Sequence, residues 1–332
     1  MSRCRAAAVA AALVTVALGG CATDVPAAPW QSGRLVIGTG DTTGVFYQVG
    51  GGYADIITAH LPGYVASTAP TTGGGDNLLR LGTGDVHLAL VSRDVAADAL
   101  GAAGPFAGAR PQMRALARIH SSYVHLIVRA DGGIDGVGRL RGARVSTGAV
   151  NSDTDTVALR LLAAAGLDPE RDIVRRSLTL PEATRALRDG SIDALFWSGG
   201  LPTVGVTDLV DRVAIRVLPL DDLLPELEDA HPDSYAAATI PAAAYGLPGD
   251  VATVSVANLI VVPTDTPEGL AYDLTRLIFD YQSELSIVHP EWRSVDPETA
   301  PGTEPVPLHP GAVGYYADRA GRSAGTPAAH GG

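Results

Sequence analysis

Residues 35–60 combine a buried-strand pattern, a polar glycine-rich segment and a helix pattern, in that order. The apolar run at 35–38 predicts the strand, and apolar residues such as Val45 and Val49 predict a helix that ends near His60. A strand that enters a helix through such a loop directs free backbone N–H groups and the positive end of the helix dipole to one point. The segment therefore predicts either an anion-binding loop or an ordinary turn of an α/β fold, and the motif alone leaves both open.

The glycine spacing disfavours two kinds of nucleotide site. The dinucleotide fingerprint is G-x-G-x-x-G with an acidic residue near the end of the next strand. Here Gly38, Gly40 and Gly44 have one additional residue between the second and third glycines, and no acid follows the predicted strand at 64–68. A P-loop needs a lysine, and the sequence contains none.

The N-terminal residues predict export and attachment to a membrane. Arg3 and Arg5 precede an apolar run, and small residues then lead to Cys21, so residues 1–20 have the pattern of a secretory signal. The end of this segment resembles a bacterial lipobox, which implies that Cys21 carries lipid and anchors an extracytoplasmic protein to the cell membrane. The alternative is an ordinary signal peptide followed by a chance cysteine. Residues 21–33 are predicted to be a flexible tether.

Charge and cysteine content disfavour several classes of partner and chemistry. The formal net charge is -12, which argues against nucleic acid and an anionic lipid surface as partners. Cys4 and Cys21 are the only cysteines, so the mature domain is predicted to contain no disulfide, cysteine metal site or cysteine nucleophile. The histidines are scattered, and H-E-x-x-H does not occur. The single G-x-S-x-G match, at 321–325, lies in the predicted disordered tail and not between a strand and a helix, so it does not predict a nucleophile elbow. We expect no catalysis, no metal, no cofactor and a monomer.

Strand and helix patterns alternate along the chain, which predicts an α/β fold with mostly parallel sheets. The pattern restarts near residue 129, and a long apolar strand begins at residue 253. We therefore predict two lobes joined by a hinge of two chain crossings, with a crevice between the ends of their strands. The predicted segments are a first lobe at 34–128 and 253–320, a second lobe at 129–252, and a disordered tail at 321–332.

Two local patterns refine this prediction. Hydroxyl-bearing residues separate the strand patterns at 113–120 and 123–129, which predicts a turn near the hinge. Tyr123 could reach the crevice from there or simply close the turn. The apolar pattern at 267–286 predicts one long helix after the return to the first lobe.

Each lobe contains polar or glycine-rich loops between a strand and a helix, and in a doubly wound fold such loops face the same crevice. In the first lobe they lie at 38–44 and 71–78. Arg93, at the next strand end, could bind a carboxylate or could pair with a neighbour or solvent. In the second lobe they lie at 147–155 and 195–202. The aromatic residues of the last segment could enclose an apolar part of a ligand or belong to the core.

Several motifs together resemble one family of binding proteins. They are the segments at 38–47, 73–79 and 140–145, and the segment at 308–312 with the tyrosines that follow it. From residue 34 to residue 319 the chain resembles the TAXI family, the extracytoplasmic solute receptors of TRAP-type transporters. The resemblance implies a two-lobed type II periplasmic-binding-protein fold that captures a small organic anion, such as glutamate, glutamine or a related dicarboxylate, for the membrane subunits of a TRAP permease. A receptor of an ATP-driven importer and a lipid-anchored sensor are the alternatives.

The resemblance and the loop positions together predict the ligand-binding residues. In the first lobe these are Thr39, Gly40, Thr43, Gly44, Phe46, Tyr47, Thr72, Gly73, Gly74, Asn77, Ser92, Arg93 and Tyr123. In the second lobe these are Gly148, Asn151, Ser152, Thr154, Trp197, Ser198 and Pro202. The chain departs from the family pattern at Gly74, where serine is usual, at His87, where aspartate is usual, and at 151–153, where the family has Gly-Ser-Gly. These departures change the set of donors and leave the ligand open.

Overall fold

The computed structural model describes residues 29–324 except residue 109. The predicted signal, Cys21, most of the predicted tether and residues 325–332 of the predicted tail lie outside the described residues. Within them, strands and helices alternate as the sequence predicts. None of the described helices combines the length and the apolar character that a membrane crossing requires.

The described part of the chain contains ten strands and ten α-helices, together with short 3-10 helices. The strands are β1 (Arg34–Gly38), β2 (Val65–Ala69), β3 (Leu88–Ser92), β4 (Met113–Arg129), β5 (Arg144–Ser146), β6 (Val174–Arg176), β7 (Ala194–Gly199), β8 (Ile215–Leu218), β9 (Tyr235–Ile240) and β10 (Val251–Pro263). The helices are α1 (Val45–His60), α2 (Gly74–Thr83), α3 (Arg93–Leu100), α4 (Asp153–Ala164), α5 (Leu180–Arg188), α6 (Val204–Val210), α7 (Leu224–Ala230), α8 (Glu268–Asp280), α9 (Gln282–Val288) and α10 (Pro310–Ala324).

The strands are linked in the order β2-β1-β3-β10-β4-β7-β5-β6, with β8 paired to β4 and β9 paired to β10. β1 runs parallel to β2 and β3, and β5 runs parallel to β6 and β7. The long strands β4 and β10 are antiparallel to each other and pass between these two parallel groups. They divide the molecule into a first lobe, which contains β1–β3, and a second lobe, which contains β5–β9.

Each lobe has hydrophobic core on both faces of its part of the sheet. In the first lobe, one face packs against α1, α8 and α10, and the other packs against α2 and α3. In the second lobe, one face packs against α4 and α7, and the other packs against α5 and α6. Leu90 and Val91 are neighbours in β3 but belong to opposite cores, because successive side chains of a strand point to opposite faces.

The predicted turn near the hinge is wrong, because β4 is one continuous strand. Ser121, Ser122 and Tyr123 pair in register with β10. Asn258 of β10 donates an amide N–H to Ser122 Oγ at 2.9 Å. Hydroxyl groups are common in turns, but here a partner on the adjacent strand satisfies Ser122, so the chain passes between the lobes without reversing.

Three other elements differ from the prediction. The sequence pattern does not predict β9, because its inner residues are mostly alanine and mostly exposed. The predicted helix at 267–286 is two helices, α8 and α9, which are separated by Tyr281 with non-helical dihedral angles of φ -115° and ψ 21°. Helix α10 continues to Ala324 and so enters the predicted disordered tail.

Candidate functional site

A cavity lies between the two lobes, at the ends of the strands that lead into α1, α2 and α4. Its empty space, including the part that is open to solvent, is about 660 Å³. Two loops of the first lobe, three of the second and one residue of β4 surround it. The lining residues are Gly40, Asp41, Gly44, Val45, Phe46, Thr71, Thr72, Gly73, Ser122, Gly148, Ala149, Ser152, Asp153, Thr154, Leu178, Thr179, Leu180, Ala183, Phe196, Trp197, Ser198 and Gly199.

Half of the residues that the sequence predicts as ligand-binding line this cavity. They come from both lobes, because the carboxyl ends of the parallel strands in each lobe meet at the crevice. They are Gly40, Gly44, Phe46, Thr72, Gly73, Gly148, Ser152, Thr154, Trp197 and Ser198. Their contact with a ligand stays a prediction.

Three other predicted residues hold the first-lobe loops in shape and do not line the cavity. Thr39 Oγ1 donates to a backbone carbonyl of β2 at 3.0 Å. Asn77 donates its amide N–H groups to the carbonyls of Thr39 and Leu90, at 2.6 and 2.7 Å. Thr43 Oγ1 donates to Asp41 Oδ1 at 2.7 Å. The predicted loops do lie at the cavity, but these three polar side chains form hydrogen bonds within the first lobe instead of lining the cavity.

Arg93 lies outside the cavity, at the first residue of α3. Its Nε donates to the backbone carbonyl of Glu304. This placement does not support the hypothesis that Arg93 binds a ligand carboxylate in the crevice, which stays a prediction. The other predicted residues that do not line the cavity are Tyr47, Gly74, Ser92, Tyr123, Asn151 and Pro202.

Backbone N–H groups are the positively polarised groups at the cavity. Gly44 is the N-cap of α1 and provides no side-chain cap, so N–H groups of the first turn are available to a ligand. The lining contains the carboxylates of Asp41 and Asp153 but no arginine, lysine or histidine among the described residues. The cavity can therefore hold an anion through helix dipoles, N–H groups and hydroxyl groups.

Three side chains of the cavity lining are suited to contact a ligand: one hydroxyl group and two aromatic rings. The buried Ser198 Oγ has no hydrogen-bond partner among the described residues, and a polar ligand atom would satisfy it. Phe46 and Trp197 line the cavity from opposite lobes. Trp197 Nε1 donates to Thr203 Oγ1 at 3.0 Å, which orients the indole ring. A Cβ at Gly44 would lie 3.2 Å from Trp197 Cη2, so glycine there lets the ring approach α1.

One further loop lines the cavity, and the sequence analysis does not predict it. Leu178, Thr179, Leu180 and Ala183, at the start of α5, line the cavity. Thr179 and Glu182 form a capping box, in which the Thr179 N–H donates to Glu182 Oε2 at 2.9 Å. The T-x-x-E spacing is a sequence signal for the start of a helix, but it does not indicate that this helix faces the crevice.

An ionic network joins the lobes beside the cavity. Arg160 of α4 donates through Nη2 to both carboxylate oxygens of Asp98, at 2.6 and 2.7 Å, and through Nη1 to Asp94 at 3.3 Å. Tyr235 of β9 donates its hydroxyl to Asp94 at 2.6 Å. Asp94 is 1% exposed, so water and salt screen this contact between the lobes only weakly.

A second group of contacts joins the lobes on the other side of the cavity. The backbone N–H of Leu201 donates to Glu291 Oε1 at 2.6 Å, and the N–H of Gly205 donates to the carbonyl of Thr43 at 3.4 Å. Burial raises the pKa of Glu291. Because contacts are present at both edges of the cavity, the two lobes are in a closed arrangement.

Replacing Arg160 by methionine is expected to weaken the contact between the lobes without unfolding either lobe. Methionine keeps an aliphatic stem but cannot donate to Asp94 and Asp98. In the open form water solvates both carboxylates, whereas in the closed form of the variant they lack the arginine donors. We therefore expect the free energy of closure to become less favourable by about 1–2 kcal/mol. That loss corresponds to about a five- to thirtyfold weaker affinity for any ligand that both lobes hold.

Isothermal titration measures this change in affinity. Arg276→Met is the matched control, because Arg276 pairs only within α8; equal losses in both variants would contradict the prediction.

Several solved structures resemble this architecture. A protein from Bordetella bronchiseptica RB50 is 19% identical, the match covers 86% of this chain and 89% of that chain, and the TM-score is 0.50. The periplasmic aliphatic sulphonate binding protein SsuA from Escherichia coli is 16% identical, with coverage of 86% and 82% and a TM-score of 0.49. A putative L-cystine ABC transporter protein from Listeria monocytogenes is 14% identical, with coverage of 78% and 95% and a TM-score of 0.49. At these identities the likeness concerns the fold alone.

Two α/β lobes, two long strands that pass between them and a cavity at their junction define the class of this protein. It has the two-lobed fold of the periplasmic solute-binding proteins. Residues 37–319 match the NMT1-like family, and the chain belongs to that family. The matched segment contains every residue that lines the cavity.

Proposed function

We propose that this protein is an extracytoplasmic solute receptor, which captures a small organic anion between its lobes and delivers it to the permease of a TRAP-type secondary transporter. The observation that carries the proposal is the convergence of loops from both lobes on one cavity. That cavity offers backbone N–H groups and hydroxyl groups, which bind a small anion without a cationic side chain. Binding and release, without any change of bonds in the solute, are the whole of the proposed activity.

Capture proceeds in two steps. In the open arrangement the solute meets the first turn of α1 and the hydroxyl groups of Thr71 and Thr72. Closure then brings Trp197 and Ser198 of the second lobe onto the solute and excludes water. A solute shifts the equilibrium toward the closed form only by its greater affinity for that form. The permease would recognise the closed form.

The resemblance to the TAXI family from residue 34 to residue 319 supports TRAP permease subunits, driven by an ion gradient, as the partner. The proposal includes a monomer held at the cell membrane by lipid on Cys21, with the lobes divided near residues 128–129 and 252–253. A receptor of an ATP-driven importer has the same fold and is the second candidate. A lipid-anchored sensor is the third.

The ligand class can be tested on the purified protein without its predicted signal. Native mass spectrometry identifies any solute that is retained through purification. Isothermal titration then compares glutamate, glutamine, dicarboxylates, monocarboxylates and sulfonates with neutral sugars and polyamines. We expect at least one organic anion to bind with a Kd of about 10 µM or tighter, which is about -7 kcal/mol. Binding of neutral or cationic compounds alone would contradict the proposal.

Uptake of the bound solute by cells that produce this protein distinguishes the partners. Collapse of the ion gradient is expected to abolish uptake, whereas depletion of ATP at a maintained gradient is not. The reverse dependence would support the ATP-driven importer. Uptake that does not change when the protein is removed would support the sensor.

A further inference from the structure

The carboxylate of Asp153 belongs to the second lobe but binds to backbone groups of the first. Its Oδ2 accepts the N–H of Gly74 at 2.6 Å, and its Oδ1 accepts the N–H of Ser92 at 2.8 Å. The residue is 8% exposed. Two carboxylate oxygens on N–H donors from two separate loops form the arrangement that would hold the carboxylate of a bound solute.

The first lobe is shaped for this carboxylate. Gly73, the N-cap of α2, provides no side-chain cap, so the N–H of Gly74 is directed at Asp153. A Cβ at Gly74 would lie 2.3 Å from Asp153 Oδ1, which means that any other residue would displace the carboxylate. Burial raises the pKa of Asp153, and the hydrogen bonds from Gly74 and Ser92 act in the opposite direction.

The same carboxylate faces the solute cavity. Asp153 and Asp41 are the ionisable residues of the lining, and no cationic side chain of the described residues accompanies them there. One solute carboxylate can bind the first-turn N–H groups of α1. A second solute carboxylate would lie near the charge of Asp153 in a site of low dielectric constant, where like charges repel strongly.

We infer that Asp153 determines the charge of the solute: it fills the carboxylate position of the first lobe on closure, so the cavity accepts a monocarboxylate and excludes a dicarboxylate. The rest of that solute is apolar, because Val45, Phe46, Leu180 and Trp197 form much of the remaining wall. The inference rests on the proposed function and narrows it to monocarboxylates with an apolar body.

Matched acid pairs test this assignment by isothermal titration. Hexanoate and adipate share six carbons and differ by one carboxylate, and butyrate and succinate form a shorter pair. We expect the wild-type protein to bind the monocarboxylate of a pair at least tenfold more tightly. Asp153→Gly frees both N–H donors and the space of the side chain, so the affinity ratio of dicarboxylate to monocarboxylate should rise at least tenfold. Asp153→Asn removes the charge but fills the space, so the ratio should rise less.

The affinity ratio of dicarboxylate to monocarboxylate distinguishes a role of Asp153 in specificity from a structural role. Weaker closure of the lobes would lower the affinities for both acids and leave their ratio unchanged. Asp189→Gly removes an exposed carboxylate that pairs with Arg188 and should leave the ratio unchanged. Thermal melting confirms that each variant is folded, and Asp153→Asn serves if Asp153→Gly does not fold. Equal or tighter wild-type binding of dicarboxylates, or an unchanged ratio in Asp153→Gly, would overturn the inference and leave an anion receptor in place. If no organic anion binds at all, the proposed function fails together with it.

Discussion

Replacing Gly75 by alanine is expected to weaken solute binding by about a hundredfold or more. Gly75 lies in the first turn of α2, and a Cβ there would lie 2.5 Å from the backbone oxygen of Asn151 in the second lobe. Backbone cannot rotate away from such a contact. The three nearest atoms all belong to Asn151, so the added methyl group obstructs closure and leaves the packing of the first lobe intact.

The size of the effect follows from the population of the closed form. The apparent Kd rises in inverse proportion to the fraction of molecules that can close on the solute. A hundredfold loss corresponds to a shift of about 2.7 kcal/mol between open and closed forms. A contact of 2.5 Å with backbone forces the lobes apart and also lengthens the nearby hydrogen bond from Asp76 N–H to the Asn151 carbonyl, which is 3.2 Å.

Isothermal titration with the tightest-binding organic anion measures the loss, and small-angle X-ray scattering measures whether the solute still makes the protein more compact. Gly82→Ala is the matched control, because it lies in the same helix and its nearest neighbour, Pro111 Cβ, is 3.9 Å away. That variant should bind and close normally. Wild-type affinity and compaction in Gly75→Ala would show that binding does not need the approach of the lobes.

The positions of four of the five loops that line the cavity could be predicted from the sequence because the signals are local. Helix and strand periodicities locate each loop, and parallel strands place their carboxyl ends at one edge of a sheet. Gly40, Gly73 and Gly148 are far apart in the sequence, yet all three line the cavity. The resemblance of residues 34–319 to one family predicted the two-lobed fold, which the family match and the structure support.

Side-chain directions could not be predicted in the same way. Arg93 was expected at a strand end that faces the crevice, but it is the first residue of α3 and contacts Glu304. One residue along a helix turns the side chain by about 100°, whereas sequence patterns locate an element boundary only within a few residues. A prediction of which side chain lines a cavity therefore fails at helix starts more often than a prediction of which loop does.

Contacts between the lobes depend on how the finished lobes dock, and no local pattern encodes them. In the sequence, Asp153 is an acidic residue in the first turn of a helix, where the helix dipole already favours it. Ser152 caps that helix instead, by accepting the N–H of Asp155 at 3.0 Å. Asp153 is therefore free to cross to Gly74 and Ser92, which are 79 and 61 residues away in the chain.

Replacing Gly311 by alanine is expected to destabilise the protein by about 2–4 kcal/mol and to lower its Tm by about 3–6 °C. A Cβ at Gly311 would lie 2.1 Å from the backbone oxygen of Glu268 and 2.8 Å from the backbone nitrogen of Tyr272. These atoms belong to α8, so alanine forces α10 away from it. Helix α10 carries the buried Tyr315, which stacks on Phe279 of α8 with ring centroids 5.6 Å apart, and this packing would loosen.

Differential scanning calorimetry measures the loss, and Gly321→Ala is the matched control in the same helix. No atom lies within 4 Å of a Cβ at Gly321, so helix propensity predicts a gain of up to about 1 kcal/mol there. Similar Tm values for the two variants would contradict close packing of α10 on α8.

The two glycine variants should separate stability from binding. Because α8 and α10 contribute no described residue to the cavity lining, Gly311→Ala should leave solute affinity at 25 °C unchanged. Gly75→Ala should lower affinity at an almost unchanged Tm. If either variant changed both quantities together, folding of the first lobe and closure of the cleft would have to share one interface.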